Sequence, residues 1–292
     1  MEFGFLFWLF FIGLIIACLQ DLKRREVDNW LNLFLLVSGL VFIFFGAVLD
    51  SNVEIVFLTG FFLVGMFLIM NLFYYGRVFA GGDAKLLFAM TAFFIASTFW
   101  QSVINVGIFI LFLMLSGSFY GLFYSCVLWF KNRKKVNREM GKLVAKNRWL
   151  VFVVLVSCIL MLFGFVNFVF LVIGVCLFIF PFLYVFAKGL ENISMVRKVS
   201  GKDLREGDWL VKDILLRKSE VRSRSLMNMT RTNQKLNIIK ADWDGLSLED
   251  IEILKKRKMV LIKEGLPFVP AFLIAFLGYV FLKDWFLGLF FI

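Results

Sequence analysis

The chain has 292 residues, of which 61% are hydrophobic, and its mean hydropathy is +0.89. Soluble domains are about 45–50% apolar, so this composition excludes an ordinary soluble protein and indicates a polytopic, all-α membrane protein. The net charge of +11 does not indicate a nucleic-acid partner, because the basic residues lie in short segments between apolar runs.

Eight apolar segments have the length or composition of membrane spans, since a bilayer core of about 30 Å needs roughly 20 helical residues. The predicted spans are Phe3–Leu19, Trp30–Leu49, Ile55–Tyr75, Leu86–Phe99, Val103–Phe130, Trp149–Phe165, Phe168–Ala187 and Pro267–Leu282. The first is interpreted as a span rather than a signal peptide, because no basic segment precedes it and no small-residue cleavage site follows it.

The distribution of lysine and arginine predicts the orientation of these spans. With the N-terminus outside, all of the 32 basic residues except Lys283 fall on the cytoplasmic side. The predicted location is therefore the plasma membrane, with the inside loops at 21–29, 76–85, 131–148 and 188–266. This topology places Asp21 and Asp83 at the same depth, on the cytoplasmic edge.

The predicted domains are a transmembrane catalytic bundle over 1–187, with a basic cytoplasmic loop at 131–148, a soluble cytoplasmic domain over 188–266, and a last transmembrane helix within 267–292. The soluble domain is expected to be small and of α/β or mixed type. Within it, Leu246–Lys256 is predicted to be an amphipathic helix with Ser247 as N-cap and Asp250 three residues later. The basic stretch 222–240 shows little periodicity and is interpreted as a loop.

Two carboxylates at the membrane edge are the candidate catalytic groups. Ionisable residues there are costly and are functional by default. The absence of histidine excludes imidazole-based triads and zinc sites, and the four cysteines have no CxxC spacing. Two aspartates that share one proton can activate water and polarise a scissile carbonyl, as in aspartic proteases, without metal or cofactor. Gly81 and Gly82, beside Asp83, are expected to permit unusual torsions and a close approach of substrate.

These stretches resemble a known family. Asp21-Leu-Lys-Arg-Arg-Glu-Val-Asp-Asn29 and Gly81-Gly82-Asp83-Ala84-Lys85-Leu86 are similar to the two motifs of the GxGD-type prepilin and preflagellin (archaellin) signal peptidases. Gly265-Leu-Pro-Phe-Val-Pro-Ala-Phe272 resembles the sequence that re-enters the membrane in the archaeal branch. The resemblance implies that Asp21 and Asp83 are catalytic and that the substrates are type IV pilin-like or archaellin precursors with short leader peptides.

The chain departs from the family pattern in ways that bear on activity. Ala80 replaces the first glycine of GxGD, and Asp28 replaces the proline that often precedes the asparagine. A cysteine-rich zinc segment like that of the bacterial enzymes is absent, so cleavage without N-methylation is predicted.

Four further residues are candidate supporting groups. Glu26 and Asp28 are expected to contact a basic leader, and Lys85 to favour one ionised aspartate. The alternatives are that Lys85 anchors a lipid headgroup and that Asn29 caps the second helix. Membrane lipids are expected partners of the basic 131–148 segment, and the sequence carries no signal of oligomeric state.

Two other function classes are compatible with paired membrane aspartates. A transporter or channel would use Asp21 and Asp83 to couple protons or cations, but it predicts acids near the bilayer midplane and an internal repeat. A non-catalytic scaffold would tolerate Asp→Asn at either position. A presenilin-like protease that cuts within the bilayer is a closer relative of the peptidase hypothesis.

Overall fold

The computed structural model of the chain describes residues 4–76, 78–165, 167–216, 238–241 and 245–290. The helices in this part of the chain are α1 Gly4–Arg24, α2 Asn29–Leu49, α3 Val53–Tyr75, α4 Gly81–Ala89, α5 Thr91–Phe94, α6 Phe99–Lys146, α7 Trp149–Phe163, α8 Phe168–Ile193, α9 Leu248–Leu254 and α10 Val269–Phe290. The short strands are β1 Val196–Val199, β2 Trp209–Leu210, β3 Ile214–Leu215, β4 Ile238–Ile239 and β5 Val260–Lys263. The protein is therefore mainly helical, with a small β region before its last helix.

Six helices in the described residues are long and apolar enough to cross a membrane: α1, α2, α3, α6, α8 and α10. Most of their apolar surface faces outward, as expected where lipid rather than water surrounds the helices. The chain is thus a multi-pass membrane protein, as its composition predicts. The helix α7 is apolar but has only 15 residues.

The predicted fourth span, 86–99, is not one continuous helix. It contains the end of α4, which finishes at Ala89, and the single turn of α5, after which Ile95 is extended. Two side-chain hydroxyl groups accept hydrogen bonds from the backbone at the start of α6. The Thr98 hydroxyl accepts from the Gln101 N–H, and the Ser102 hydroxyl accepts from the Ala96 N–H at 2.9 Å. Side-chain oxygens that satisfy free backbone groups favour a helix start at this point.

The first of two compact units comprises Met1–Phe123 and Leu266–Ile292. Its helices α1 and α2 pack closely because glycines lie between them. A Cβ at Gly13 would overlap the Leu35 side chain, and one at Gly39 would lie 2.6 Å from Cβ of Ala92. Small residues at such positions permit close packing of membrane helices.

Aromatic side chains fill the centre of this unit between α1, α5, α6 and α10. The Phe93 ring lies 4.8 Å from that of Phe276 and 5.8 Å from that of Tyr279. The Ser116 hydroxyl in α6 donates to the Ala271 carbonyl of α10 at 2.9 Å. These contacts hold the last helix of the chain against α5 and α6.

The second compact unit comprises Tyr124–Gly265. In it the predicted loop 131–148 is largely helical, because α6 continues to Lys146 with a kink at Asn132. Helices α7 and α8 form a hairpin in which Gly174 packs on Met161. Gly164 ends α7, and Asn167 is the N-cap of α8, between the two predicted spans.

A three-stranded antiparallel sheet with the order β1-β5-β2 follows α8, and β3 pairs separately with β4. The predicted capped helix is confirmed as α9: Ser247 and Asp250 form a reciprocal capping box. Arg197 on β1 pairs with Glu264 beyond β5 at 2.6 Å. Most of the predicted 222–240 loop lies outside the described residues. The division of the chain into 1–187, 188–266 and 267–292 remains a prediction.

Candidate active site

Asp21 lies in the last turn of α1 with only 5% of its surface exposed. It continues the buried face of that helix, which also carries Phe10, Gly13, Leu14 and Ala17. The spacing of three and four residues places these positions on one side of a helix. Asp21 is therefore held among packed side chains rather than solvated at the helix end.

The carboxylate of Asp21 is fixed by the first residue of α10. Oδ2 of Asp21 accepts a hydrogen bond from the backbone N–H of Val269 at 3.0 Å. Pro267 and Pro270 flank this residue, and proline is favoured at a helix start because its missing N–H costs least there. Free N–H groups and the positive end of the dipole at a helix N-terminus favour a negative charge.

Asp83 is the third residue of the short helix α4, and 9% of its surface is exposed. Its carboxyl interacts with the backbone N–H of Ala80, the residue that precedes the helix. An acid at the third helical position that reaches back to the N-cap is one half of a capping box. Local helix-start chemistry therefore orients this side chain.

The charge of Asp21 acts electrostatically on Asp83. Burial, and then the negative charge of Asp21, raise the pKa of Asp83 to about 7. In the part of the chain that the structure describes, no hydrogen bond joins the two carboxyl groups. A carboxyl with this pKa carries a proton for much of the time near neutral pH, beside a second acid.

The glycines beside Asp83 do not have the torsions expected from the sequence. Gly81 and Gly82 form the first turn of α4, and neither has a positive φ. A Cβ on Gly82 would lie 3.5 Å from the Val27 nitrogen, and one on Gly81 would lie 3.5 Å from the Tyr74 ring, which are ordinary contact distances. The expected need for unusual torsions was wrong, because a helix start requires no special backbone conformation here.

Lys85 and Asn29 join the two sequence motifs directly. The Lys85 ammonium donates to Oδ1 of Asn29 at 2.9 Å, across 56 positions of the chain. Asn29 is the first residue of α2, and the residue in the N-cap position is Asp28, so Asn29 does not cap this helix. The hydrogen bond ties the start of α2 to the start of α4.

Asp28 and Glu26 differ in their availability to a ligand. Asp28 accepts from the indole N–H of Trp30 at 3.2 Å and pairs with Arg24 at 3.7 Å. Glu26 is exposed, and no ion pair to it occurs among the described residues. A basic ligand would therefore meet Glu26 more readily than Asp28.

Comparison with known proteins identifies a family over part of the chain. Residues 8–128 match the model of the type IV leader peptidase family. The predicted family resemblance is confirmed over this region. The chain is also 32% identical over 83 residues to a preflagellin peptidase from Methanococcus maripaludis, in an alignment that covers 28% of this chain and 35% of that protein. The alignment thus spans about a third of this relative, and no solved structure matches the chain.

The region matched by the type IV leader peptidase family contains both aspartates, Asn29 and Lys85, but not the backbone partner of Asp21. Val269 lies in the Gly265–Phe272 stretch, which the sequence already marked as the point where the chain re-enters the membrane. Its hydrogen bond to Asp21 was not predicted, because the two residues are far apart in the chain.

Arg25 is a site residue that the sequence did not indicate. It follows α1 with φ of 60°, in the left-handed region, and its positive charge acts on Asp21. For a residue with a side chain this conformation costs about 1 kcal/mol. Such conformations concentrate at functional sites. In the sequence Lys23-Arg24-Arg25-Glu26, nothing indicates which residue adopts the left-handed conformation.

Proposed function

We propose that this chain is a membrane aspartic endopeptidase that removes the short leader peptide of type IV pilin-like precursors, either prepilins or preflagellins. The observation that carries the proposal is the pairing of two buried, electrostatically interacting aspartates inside the region that matches the leader peptidase family. The comparisons do not favour the alternative of an ion-coupled transporter.

In the proposed reaction, Asp21 is the ionised member of the dyad and Asp83 the protonated one. The N-terminus of α10 supports a negative charge on Asp21, whereas burial and the charge of Asp21 keep a proton on Asp83. Asp21 takes a proton from water as the oxygen attacks the scissile carbonyl, and Asp83 donates to the carbonyl oxygen. As the tetrahedral intermediate collapses, the C–N bond breaks, Asp21 gives its proton to the leaving amine of the mature protein, and Asp83 takes a proton back from a hydroxyl of the new carboxyl group of the leader. No methyl transfer follows.

The proposed topology has eight spans with the N-terminus outside. The six membrane-length helices supply six of them, α7 supplies another, and the fourth begins after Lys85. In this arrangement 1–187 is the catalytic bundle, 188–266 a cytoplasmic domain and 267–292 the last span. The dyad then lies at the cytoplasmic face of the plasma membrane, where the basic segment 131–148 contacts lipid.

Single cysteines at Ser51 and Lys142, introduced in a cysteine-free background, test this orientation. The proposal expects an impermeant thiol reagent to label the first from outside the cell and the second only after lysis. Labelling of both from one side would contradict it.

The proposed substrates carry a basic leader just before a hydrophobic helix. Glu26 is the acid available to meet that leader, since Asp28 is already engaged by Arg24 and Trp30. Glu26→Lys is expected to slow cleavage of basic-leader substrates more than Asp28→Lys does. Unchanged cleavage after reversal at both positions would remove this contact from the proposal.

Co-expression with candidate pilin-like precursors tests the function itself. Wild type is expected to shift the precursor to its mature size, and Asp21→Asn and Asp83→Asn to leave it uncleaved at normal protein levels. Conservative replacement of the exposed Asp50 by Asn serves as the matched control and is expected to cleave normally. Cleavage by either dyad variant would overturn the two-aspartate mechanism, and transport without cleavage would overturn the function.

A further inference from the structure

A buried amide on α2 has no partner within the described part of the chain. Asn32 is 6% exposed, and both Oδ1 and Nδ2 lack a hydrogen bond there. Two other buried polar side chains in the first unit are satisfied, since Thr59 donates to Ile55 and Asn105 to Phe94, whereas the Tyr279 hydroxyl also lacks a partner among the described residues. An unsatisfied buried polar group costs about 1–3 kcal/mol. Leucine would fill a similar volume without that cost, so the amide calls for a functional explanation.

The direction of Asn32 follows from its neighbours on the same face of α2. Positions three and seven residues later in a helix point to the same side. Leu35, three residues after Asn32, packs on Gly13 of α1. Gly39, seven residues after Asn32, packs on Ala92 of α5. Asn32 therefore faces the seam between α1 and the α4–α5 segment, which carry Asp21 and Asp83.

The depth of Asn32 follows from contacts at the start of α2. The Val27 backbone lies beside Gly82, and Asn29 accepts from Lys85, so the start of α2 is level with the residues around Asp83. Asn32 is three residues further along the helix, a rise of about 4.5 Å. Helix α1 runs in the opposite direction, with Gly13 opposite Leu35. By the same rise, Asp21 lies about 12 Å from Gly13, near the start of α2. Along the helix axis Asn32 is thus about one to one and a half turns from the level of both acids.

We propose that Asn32 is a positioning residue for the dyad. In the arrangement that performs cleavage, its Oδ1 accepts a hydrogen bond from the protonated carboxyl of Asp83, and its Nδ2 donates to the carboxylate of Asp21. This inference rests on the proposed peptidase function, which it deepens.

The chemistry of an amide suits this position. A dyad that shares one proton presents one donor and one acceptor to its surroundings. A neutral side-chain amide offers the complementary acceptor and donor at fixed spacing without adding a charge. Leucine offers neither, and aspartate would add a third acid. Neighbouring titratable groups are Cys18 and Asp21 on α1, Arg25 after it, Lys85 on α4, and Tyr74 on α3, whose ring faces Gly81.

The test compares purified wild type with Asn32→Leu, Asn32→Ala and Asn32→Thr, using a pilin-like precursor peptide in detergent across a pH series. Asn32→Leu and Asn32→Ala are expected to lower kcat about 30- to 1,000-fold, the equivalent of one neutral and one charge-assisted hydrogen bond, with little change in KM. The alkaline limb of the pH profile is expected to move to lower pH, because Asp83 loses the acceptor that holds its proton. Thr, whose hydroxyl both donates and accepts, is expected to restore part of kcat.

Thermal unfolding separates this role from simple packing. Asn32→Leu is expected to unfold at or above the wild-type temperature, since it removes an unsatisfied buried amide. Thr59→Val, a buried polar-to-apolar change on α3, is the control and is expected to leave the pH profile unmoved. If Asn32→Leu does not fold, Asn32→Ala decides the question.

Two results would overturn the inference: wild-type kcat and pH profile in a folded Asn32→Leu or Asn32→Ala protein, or an equal shift of the profile in Thr59→Val. Absence of cleavage by wild type would instead reject the proposed function. The two failures are therefore distinguishable.

Discussion

The backbone N–H of Val269 donates to Oδ2 of Asp21 at 3.0 Å, and the two residues are 248 positions apart. One aspartate of the candidate dyad is thus also the N-terminal cap of the last helix. A side chain that holds a helix start and also has a proposed catalytic role should give different results when it is shortened and when only its charge is removed.

Asp21→Asn and Asp21→Ala are expected to separate these roles. Both variants are expected to lose cleavage. Asn keeps an oxygen that accepts from Val269, whereas Ala leaves that buried N–H unsatisfied at a cost of about 1–3 kcal/mol. Thermal unfolding in detergent should therefore show Asn near wild type and Ala clearly less stable. Equal stability of Ala and wild type would show that the hydrogen bond contributes little to folding.

Asp83→Asn is expected to make the protein more stable at neutral pH while it abolishes cleavage. The folded-state pKa of Asp83, about 7, lies above the ordinary value of 3.8. Between these values the unfolded chain releases a proton that the folded chain keeps, so wild type loses stability as pH rises from about 4 to 7 and no further above that. Asn does not titrate.

Unfolding of both proteins at a series of pH values from 4 to 8 measures this effect. The stability difference between variant and wild type is expected to grow up to about pH 7 and then to level off. Asp50→Asn, at an exposed carboxylate after α2, should show no such trend. Parallel pH curves for wild type and Asp83→Asn would contradict the prediction.

Gly82→Ala tests whether the glycine serves substrate rather than fold. The added methyl would make only ordinary contact with Val27, and alanine favours a helix over glycine by up to about 1 kcal/mol. Stability should be unchanged or slightly higher, whereas KM should rise if substrate backbone approaches this surface. Gly65→Ala on α3, where a Cβ meets nothing within 4 Å, is the matched control. Normal KM in Gly82→Ala would exclude a close approach there.

Lys85→Met, Asn29→Ala and the double variant test the hydrogen bond between the two motifs. Because the pair is exposed, its coupling energy should be below about 1 kcal/mol in unfolding measurements. Each single variant should reduce cleavage to a similar extent, and the double variant should be no worse than either. Lys146→Met, at the end of α6, should have no effect. Fully additive losses would show that the two residues act independently.

Several features of the molecule were predictable because their causes are local. A membrane-length apolar run specifies a helix by itself, since the bilayer leaves the backbone no other partner. The Ser247 capping box depends on residues three positions apart, and it is present as predicted. The two motifs identified Asp21 and Asp83 as candidates from residue type and position relative to apolar runs.

The environment of those candidates was not predictable in the same way. Whether 86–99 forms one helix or the short α4 and α5 depends on how hydroxyl groups and packing divide the segment. The unusual torsions expected at Gly81 and Gly82 and the capping alternative for Asn29 failed because α4 begins five residues, and α2 one residue, before the predicted spans. Asn32 carried no motif signal, and only its burial without a partner draws attention to it.

The sequence by itself determined that this is a multi-pass membrane protein with two acidic motifs of a leader peptidase type, because hydropathy and motif spacing act over a few turns of chain. Only the tertiary structure decided that Asp21 caps α10, that Lys85 binds Asn29 and that the charge of Asp21 acts on Asp83. Those relations join residues that are tens to hundreds of positions apart. They arise from helix packing, which no local window of sequence encodes.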